Sequence, residues 1–508
     1  MSRRKNRKTP SPSTAEFSVS EQIRNSYTPL EVLTRDDLDK IHDGAMRILE
    51  EIGLEILNAQ ALDVYEANGA RVEREADDCG KVFIDRSTVI EHLKTVPSTF
   101  TLHGRIARRN CEIGGNAINF TTVASAPNSS DLDRGRRSGN FEDYCNFLRL
   151  AQGYDVIGFL SGYPVEPIDL PPATRHLDAT FATLTLTDRA FHCYSLGGGR
   201  VTDGIEMTRI ARGIDIDTLK HEPSIVTVVN TNSPLRVDGP MLDGLIEMVQ
   251  LGQPVIVTPF TLAGAMCPIT LAGALAQQTA EALGVIALSQ MIAPGAPMVF
   301  GGFTSNCDMK SGAPAFGTPE YARAVLAGGQ LARYYGLPYR SSNTNASNYP
   351  DAQAAWESQM SLWGVVMGHA NVVKHAAGWL EGGLCASFEK FILDIEMVQM
   401  MVETLKPIEV SEDTLGLESI RQAGHGGHFF ATDHTMARYD SAFYAPIASD
   451  WNNFETWTEG GSLRAEQRAN AIYKQRLSEY TEPPMDGAIR DELERYVSAR
   501  RAEIEAAG

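Results

Sequence analysis

The chain has 508 residues, 43% hydrophobic and 21% charged, the composition of a globular protein with a substantial core. Its 45 basic and 64 acidic residues leave a net charge of −19, which argues against a nucleic-acid partner because the phosphates would be repelled. No apolar run reaches the roughly 20 residues of a membrane helix, so no membrane association is expected.

The opening MSRRKNRKTPSPST is basic with no apolar stretch behind it. It reads as a disordered tail over residues 1–33 rather than as a secretory signal. Seven cysteines (Cys79, Cys111, Cys145, Cys193, Cys267, Cys307 and Cys385) show no CxxC spacing. An odd count in a large chain points to reduced thiols and a cytoplasmic location. Cys307, in Gly-rich surroundings after a strand, stands out among them.

Residues 34–117 begin with the helical pattern TRDDLDKIHDGAMRILEEIG, for which Thr34 is the N-cap candidate. Short strands and the helix in FIDRSTVIEHLKTV follow, so this region reads as an N-terminal α+β cap subdomain. From residue 118 to 405, β-branched runs alternate with helical stretches in eight rounds. The strand candidates are INFTTVA (118–124), VIGFL (156–160), AFHCYS (190–195) and SIVTVVN (224–230), then PVIVTPF (254–260), PMVFGGF (297–303), PYRSS (338–342) and NVVKHAA (371–377). Of the helices between them, FEDYCNFLRLAQ carries Tyr144, Phe147, Leu148 and Ala151 on one face, and LAGALAQQTAEALGVIALSQMI is apolar nearly all round. Such repetition implies parallel strands with right-handed crossovers, and eight rounds predict a closed (β/α)8 TIM barrel. An open doubly wound sheet is the alternative; its dinucleotide-binding form requires a Gly-x-Gly-x-x-Gly turn that this chain lacks. Residues 406–508 form a C-terminal helical extension packing on the barrel, with charged helices around 462–480 and 486–505.

In such a barrel, chemistry belongs on the loops that follow the strands. Here those loops are rich in amides (Asn230, Asn232, Asn306, Asn343, Asn345, Asn348) and aromatics (Phe260, Phe303, Tyr349, Trp356, Trp379, Phe388). Packing alone does not require that mixture at loops. It suits a small cation: a quaternary ammonium donates no hydrogen bond, so aromatic faces and nearby carboxylates hold it. Asp308, Asp351 and Glu381 are candidates for the negative charge. The bland reading is that these residues cap helices and fill the barrel mouth. Gly197, Gly198 and Gly199 lack the Lys-Ser/Thr that a phosphate loop needs and read as a tight turn. His192, His375, His425, His428 and His434 form no metal-binding spacing, and no Ser-His-Asp arrangement or GxSxG elbow is visible.

The stretches NTNSPLRVDGP (230–240), TLAGAMCPITLAGALAQQTAE (261–281), DMKSGAPAFGTPE (308–320) and YPDAQAAWES (349–358) together resemble the trimethylamine/glycine betaine:corrinoid methyltransferase family. GHANVVKHAAGWLEGGLCASFEKFILDIEM (368–397), GHGGHFFATDHT (424–435) and FETWTEGGSLRAEQRANAIY (454–473) extend the resemblance. It covers about half of the chain by wording and the first half by layout. The resemblance implies a barrel that passes a methyl group from a methylated amine to the cobalt of a corrinoid. It further implies that a separate partner protein carries the corrinoid (cobalamin), consistent with the absence of a DxHxxG cobalamin-binding pattern. Trimethylamine-specific members contain pyrrolysine and this chain has only standard residues, which favours the branch acting on quaternary amines such as glycine betaine. A homo-oligomer is also expected.

With that chemistry, Phe260, Phe303 and Trp379 are expected to face the ammonium, with Tyr349 and Glu381 as further substrate contacts. Asn345, Asn232 and His375 are expected to orient the other end of the substrate. Two alternatives stand beside this reading: transfer between a methylcorrinoid and tetrahydrofolate, and a catalytically silent barrel that binds betaine.

Overall fold

The eight runs expected as strands pair side by side in parallel: β1 (Asn119–Thr122), β2 (Ile157–Phe159), β3 (Phe191–His192), β4 (Ile225–Val229), β5 (Val255–Val257), β6 (Met298–Gly301), β7 (Tyr339–Ser342) and β8 (Val372–Ala377). This is a computed structural model, and it describes residues 21–507. The sheet order is β3-β4-β5-β6-β7-β8-β1-β2. A bridge between Leu160 and Phe191 joins the two ends. There the Leu160 N–H donates to the Ala190 carbonyl at 3.0 Å and the His192 N–H to the Leu160 carbonyl at 2.9 Å. The sheet is therefore a closed barrel, and the open-sheet alternative falls.

A helix follows each strand: α1 (Phe141–Gln152), α2 (Arg175–Leu186), α3 (Gly198–Arg212), α4 (Gly239–Gln250), α5 (Leu271–Ile292), α6 (Pro319–Tyr334), α7 (Ala352–Met367) and α8 (Phe388–Thr404). The face of α1 with Tyr144, Phe147, Leu148 and Ala151 is buried, as its periodicity requires. Among the described residues α5 is the one helix long and apolar enough to cross a membrane. It is mostly buried instead, packed between the barrel and the N-terminal helices.

The first of those helices, Arg35–Arg47, starts in a capping box: the Thr34 hydroxyl accepts the Asp37 N–H, and the Asp37 carboxylate accepts the Thr34 N–H. A hairpin of Thr99–Leu102 with Cys111–Gly114 lies at the N-terminal end of the barrel. Its Leu102, Cys111 and Ile113 pack with Phe159, Val226, Ile256, Val299 and Val372 from the strands. That apolar plug closes one end, so the open chemistry is confined to the other.

Of the basic tail expected over residues 1–33, the part from residue 21 onward is ordered. Residues 1–20 lie outside the described residues, whereas residues 21–33 run as a strap over the barrel helices. Asn25 donates through its side chain to the Val366 carbonyl at 2.8 Å, and Gln330 accepts the N–H groups of Val32 and Leu33 at 2.7 and 2.8 Å. Buried partners for those polar groups hold the strap in place. At the other terminus, Ala465–Ser478 packs on α8 and α1, and Gly487–Ala507 on α2 and α3. Asp203 accepts from both Tyr496 and Arg500 at 2.8 Å, which ties the last helix to α3.

On α8, Lys390 and Asp394 form a fully buried ion pair. Lys390 also donates to Ser358 at 2.9 Å, and Asp394 accepts the Gly378 N–H at 2.9 Å, so the pair pins the chain where it leaves β8. Replacing Lys390 by Met strands a buried carboxylate. Urea unfolding of Lys390→Met is expected to show a loss of roughly 3–5 kcal/mol; an unshifted midpoint would remove the pair from the barrel's stability.

Candidate active site

The open end of the barrel holds a cavity of about 490 Å3. Loops after β1, β3, β4, β5, β6 and β8 form its walls, and side chains of β3, β7 and β8 form its floor. A hollow of about 260 Å3 near the plugged end is lined by Arg109 and Asp155 among others. Those charges are spent on one another, with Arg109 at 2.6 Å from Asp155 and 2.8 Å from Asp188.

Aromatic rings from three loops converge in the cavity. Beyond a short break, β5 and β6 resume as Phe260–Ala263 and Phe303–Cys307, which pair in parallel and place Phe260 opposite Phe303. Their ring centres are 5.1 Å apart. Phe316 stands edge-on to Phe303 at 5.7 Å and to Trp379 at 6.4 Å. His375 lies 4.2 Å from Trp379. Ring faces and edges at these spacings leave a site whose negative quadrupoles attract a cation.

Buried polar groups hold those rings. Asn345 donates to the Trp379 carbonyl at 2.7 Å, and the Trp379 indole N–H donates to the Asn345 carbonyl at 3.2 Å. Gly382 and Gly383 follow, both with positive φ (+62° and +99°). A Cβ on Gly383 would lie 2.6 Å from the Trp379 ring, so the turn needs glycine for conformation and for space. His375 itself has φ 58°, at an irregularity of β8 between Val373 and Ala377. Such a conformation in a non-glycine residue is maintained by its surroundings, here the Asp394–Gly378 bond just beyond it. Across the cavity, the buried Glu281 of α5 orders the loop after β4. It accepts from the hydroxyls of Thr231 and Ser233, the Leu235 N–H and the Gln277 amide.

The floor is basic. Arg340 on β7 and Lys374 on β8 are each 3% exposed, and among the described residues neither has a carboxylate partner. Two guanidinium nitrogens of Arg340, Nε and Nη1, have no hydrogen-bond partner. Its guanidinium lies 5.5 Å from the Phe303 ring centre. Burial pushes Arg340 down to about 10. Burial, with Arg340 nearby, holds the Lys374 amine well below the usual lysine value. Burial and these neighbouring cations likewise keep His192 and His375 neutral at physiological pH.

Of the residues expected at the site, Phe260, Phe303, Trp379, Asn232 and His375 line the cavity. Asn345 is fully buried behind it as the partner of Trp379. Tyr349 does not line it: the residue is 45% exposed, on the turn that leads into α7. Glu381 is turned away as well, because both of its oxygens accept from Arg136 at 3.0 Å. Asp351 caps α7 and Asp308 closes its own turn with Ser311. Phe388 stacks on Phe147 at 4.1 Å in the core, and Trp356 is exposed on α7.

The chain matches the trimethylamine methyltransferase (MTTB) family over residues 1–505. It belongs to that family. A glycine betaine methyltransferase of Desulfitobacterium hafniense (strain Y51) is 36% identical over 93% of this chain and 98% of the relative. The trimethylamine methyltransferase MttB of Desulfitobacterium hafniense (strain DSM 10664 / DCB-2) is 28% identical over 89% of this chain and 90% of the relative. MttB1 of Methanosarcina mazei is 27% identical over 92% and 94%. This family member is thus a methyltransferase of methylated amines, and the cavity is its candidate active site.

Sequence reasoning about this methyltransferase missed Phe316, Arg340 and Lys374. A signal for two of them is present: a basic residue amid the apolar runs PYRSS and NVVKHAA is costly unless it faces the lumen. For Gly383→Ala we expect kcat/KM for the methylated amine to fall by on the order of 100-fold through displacement of Trp379. Steady-state kinetics check this, and an unchanged kcat/KM would show that Trp379 does not border the substrate.

Proposed function

We propose that this enzyme moves a methyl group from a quaternary methylated amine, of which glycine betaine is one, to the cobalt(I) of a corrinoid carried by a separate protein. The observation that carries the reading is the convergence of Phe260, Phe303, Phe316 and Trp379 on one cavity. Among the described lining residues the one carboxylate, Asp238, is occupied in capping α4. A quaternary ammonium is bound through such rings and needs no hydrogen-bond acceptor. The 36% identical relative, named for glycine betaine, supports the same choice.

That substrate requires no acid catalyst. When the carbon–nitrogen bond of a quaternary amine breaks, the bonding pair stays on nitrogen and the amine leaves neutral. No proton has to be delivered. The corrinoid, when bound, supplies the nucleophile that accepts the methyl. The protein's share is to hold the N–CH3 bond in line and to keep water away from it. The rings from the β5, β6 and β8 loops do both.

The cavity is sized for a small amine, so a corrin would meet it at the mouth. Leu196 and Leu384 line the cavity and are exposed, and Ile269 and Met309 stand exposed on the β5 and β6 loops. These apolar side chains suit the face of a macrocycle, and they are the residues that would hold it.

The test is methylation of cob(I)alamin, free or on a corrinoid protein, followed by visible absorbance over a panel of methylated amines. Transfer from a quaternary amine is expected. Phe303→Ala and Trp379→Ala should each raise KM roughly 2- to 30-fold, the equivalent of one ring–cation contact of about 0.5–2 kcal/mol. Inactivity toward every quaternary amine tested would end the proposal.

A further inference from the structure

The floor of the cavity holds more basic groups than an ammonium site needs. Arg340 and Lys374 both face it, His192 and His375 complete the layer, and no acid stands among them in the described residues. The strands packed against Lys374 otherwise present Thr121, Ser161, Val228 and Thr258, none of them charged. A cation placed directly on this floor would be repelled. A carboxylate would be drawn to it and would meet unpaired donors on Arg340.

Hydrogen bonding around His192 adds a second constraint. Its Nε2 accepts the Val228 N–H at 3.2 Å, so the ring proton is on Nδ1, where the Ser161 carbonyl accepts it at 2.7 Å. Lys374 Nζ lies 3.3 Å from that same Nδ1 and 3.2 Å from the Ser161 carbonyl. A protonated Nδ1 has no lone pair for an ammonium. A neutral amine fits: it donates to the Ser161 carbonyl and turns its lone pair toward Nδ1–H, whose main acceptor remains that carbonyl.

Resting on the methyl-transfer reading above, we propose that the Arg340–Lys374 floor is the seat of a substrate carboxylate, and that Lys374 takes up a proton from solvent when that carboxylate binds. The reaction is Lys–NH2 plus H+ plus R–COO− giving Lys–NH3+···−OOC–R: one N–H bond forms, the ammonium turns from His192 Nδ1–H to the carboxylate, and no other covalent bond changes. The substrate class is then a zwitterion, with its acid end on the floor and its trimethylammonium among the rings above. Permanently cationic amines without an acid group are disfavoured by the same charges.

The test is calorimetric titration of the full-length protein at pH 7.5, an assay condition of about neutral pH, in buffers of differing ionisation enthalpy. The probes are glycine betaine and 3,3-dimethylbutanoate, its carbon isostere without the ammonium. Both are expected to bind with net uptake of about one proton. In Lys374→Met the uptake should vanish and affinity for both should fall at least about ten-fold. Arg340→Lys, which keeps the charge, should lose affinity but keep the uptake. Binding without proton uptake in the wild type, or uptake that persists in Lys374→Met, overturns the seat. Equal kcat/KM for tetramethylammonium and glycine betaine also overturns it while leaving methyl transfer intact. Proton-linked binding of the isostere by a protein that demethylates no amine would sustain the seat and sink the methyl-transfer reading instead.

Discussion

Two basic side chains share the lumen of one barrel with no acid beside them among the described residues, and much of the site's architecture follows from that. Charges in a closed barrel are costly because little water reaches them and the dielectric is low. Burial, with Arg340 nearby, lowers the proton affinity of the neighbouring imidazoles and of Lys374. An arrangement that disfavours its own charge is poorly suited to stability and well suited to a ligand that brings the opposite charge. Below this layer, the apolar plug contributed by the N-terminal hairpin denies water a path from the other end. Above it, the rings of Phe260, Phe303, Phe316 and Trp379 line the rest of the same volume.

The rings depend on a frame that is polar and fully buried. Each element of the frame fixes loop backbone. The reciprocal bonds between Asn345 and Trp379 lock the loops after β7 and β8 together. Glu281 orders the loop after β4 from the helix behind it. The Lys390–Asp394 pair secures the exit of β8 through the Gly378 N–H. Substrate geometry on loops is then as reproducible as on the strands, which is what in-line transfer demands.

The barrel was largely legible in advance because its signal is local. Short β-branched runs, eight times repeated and separated by helices, leave few topologies, and all eight runs form strands of one closed sheet. Thr34 was readable as a cap because capping is a contact between near neighbours in sequence. The tail boundary was not: what orders residues 21–33 is Asn25 meeting Val366 and Gln330 meeting Val32 and Leu33, contacts across hundreds of residues. The site divides in the same way. Phe260, Phe303 and Trp379 follow strand ends directly and His375 lies near the end of β8, so their position at the mouth could be inferred. Tyr349 and Glu381 lie farther along their loops, where a cap or an ion pair with Arg136 decides which way they point.

The amino-acid sequence alone determined the fold class and the aromatic character of the loops that line the candidate site. Those properties depend on periodicity and composition, which a linear chain displays. Only the tertiary structure decided that Asn345 supports Trp379 from behind, that Phe316 joins the rings, and that Arg340 and Lys374 face one cavity without a counter-charge. The reason is physical: the energy of a buried charge depends on what surrounds it in space, and those surroundings come from strands far apart in the chain.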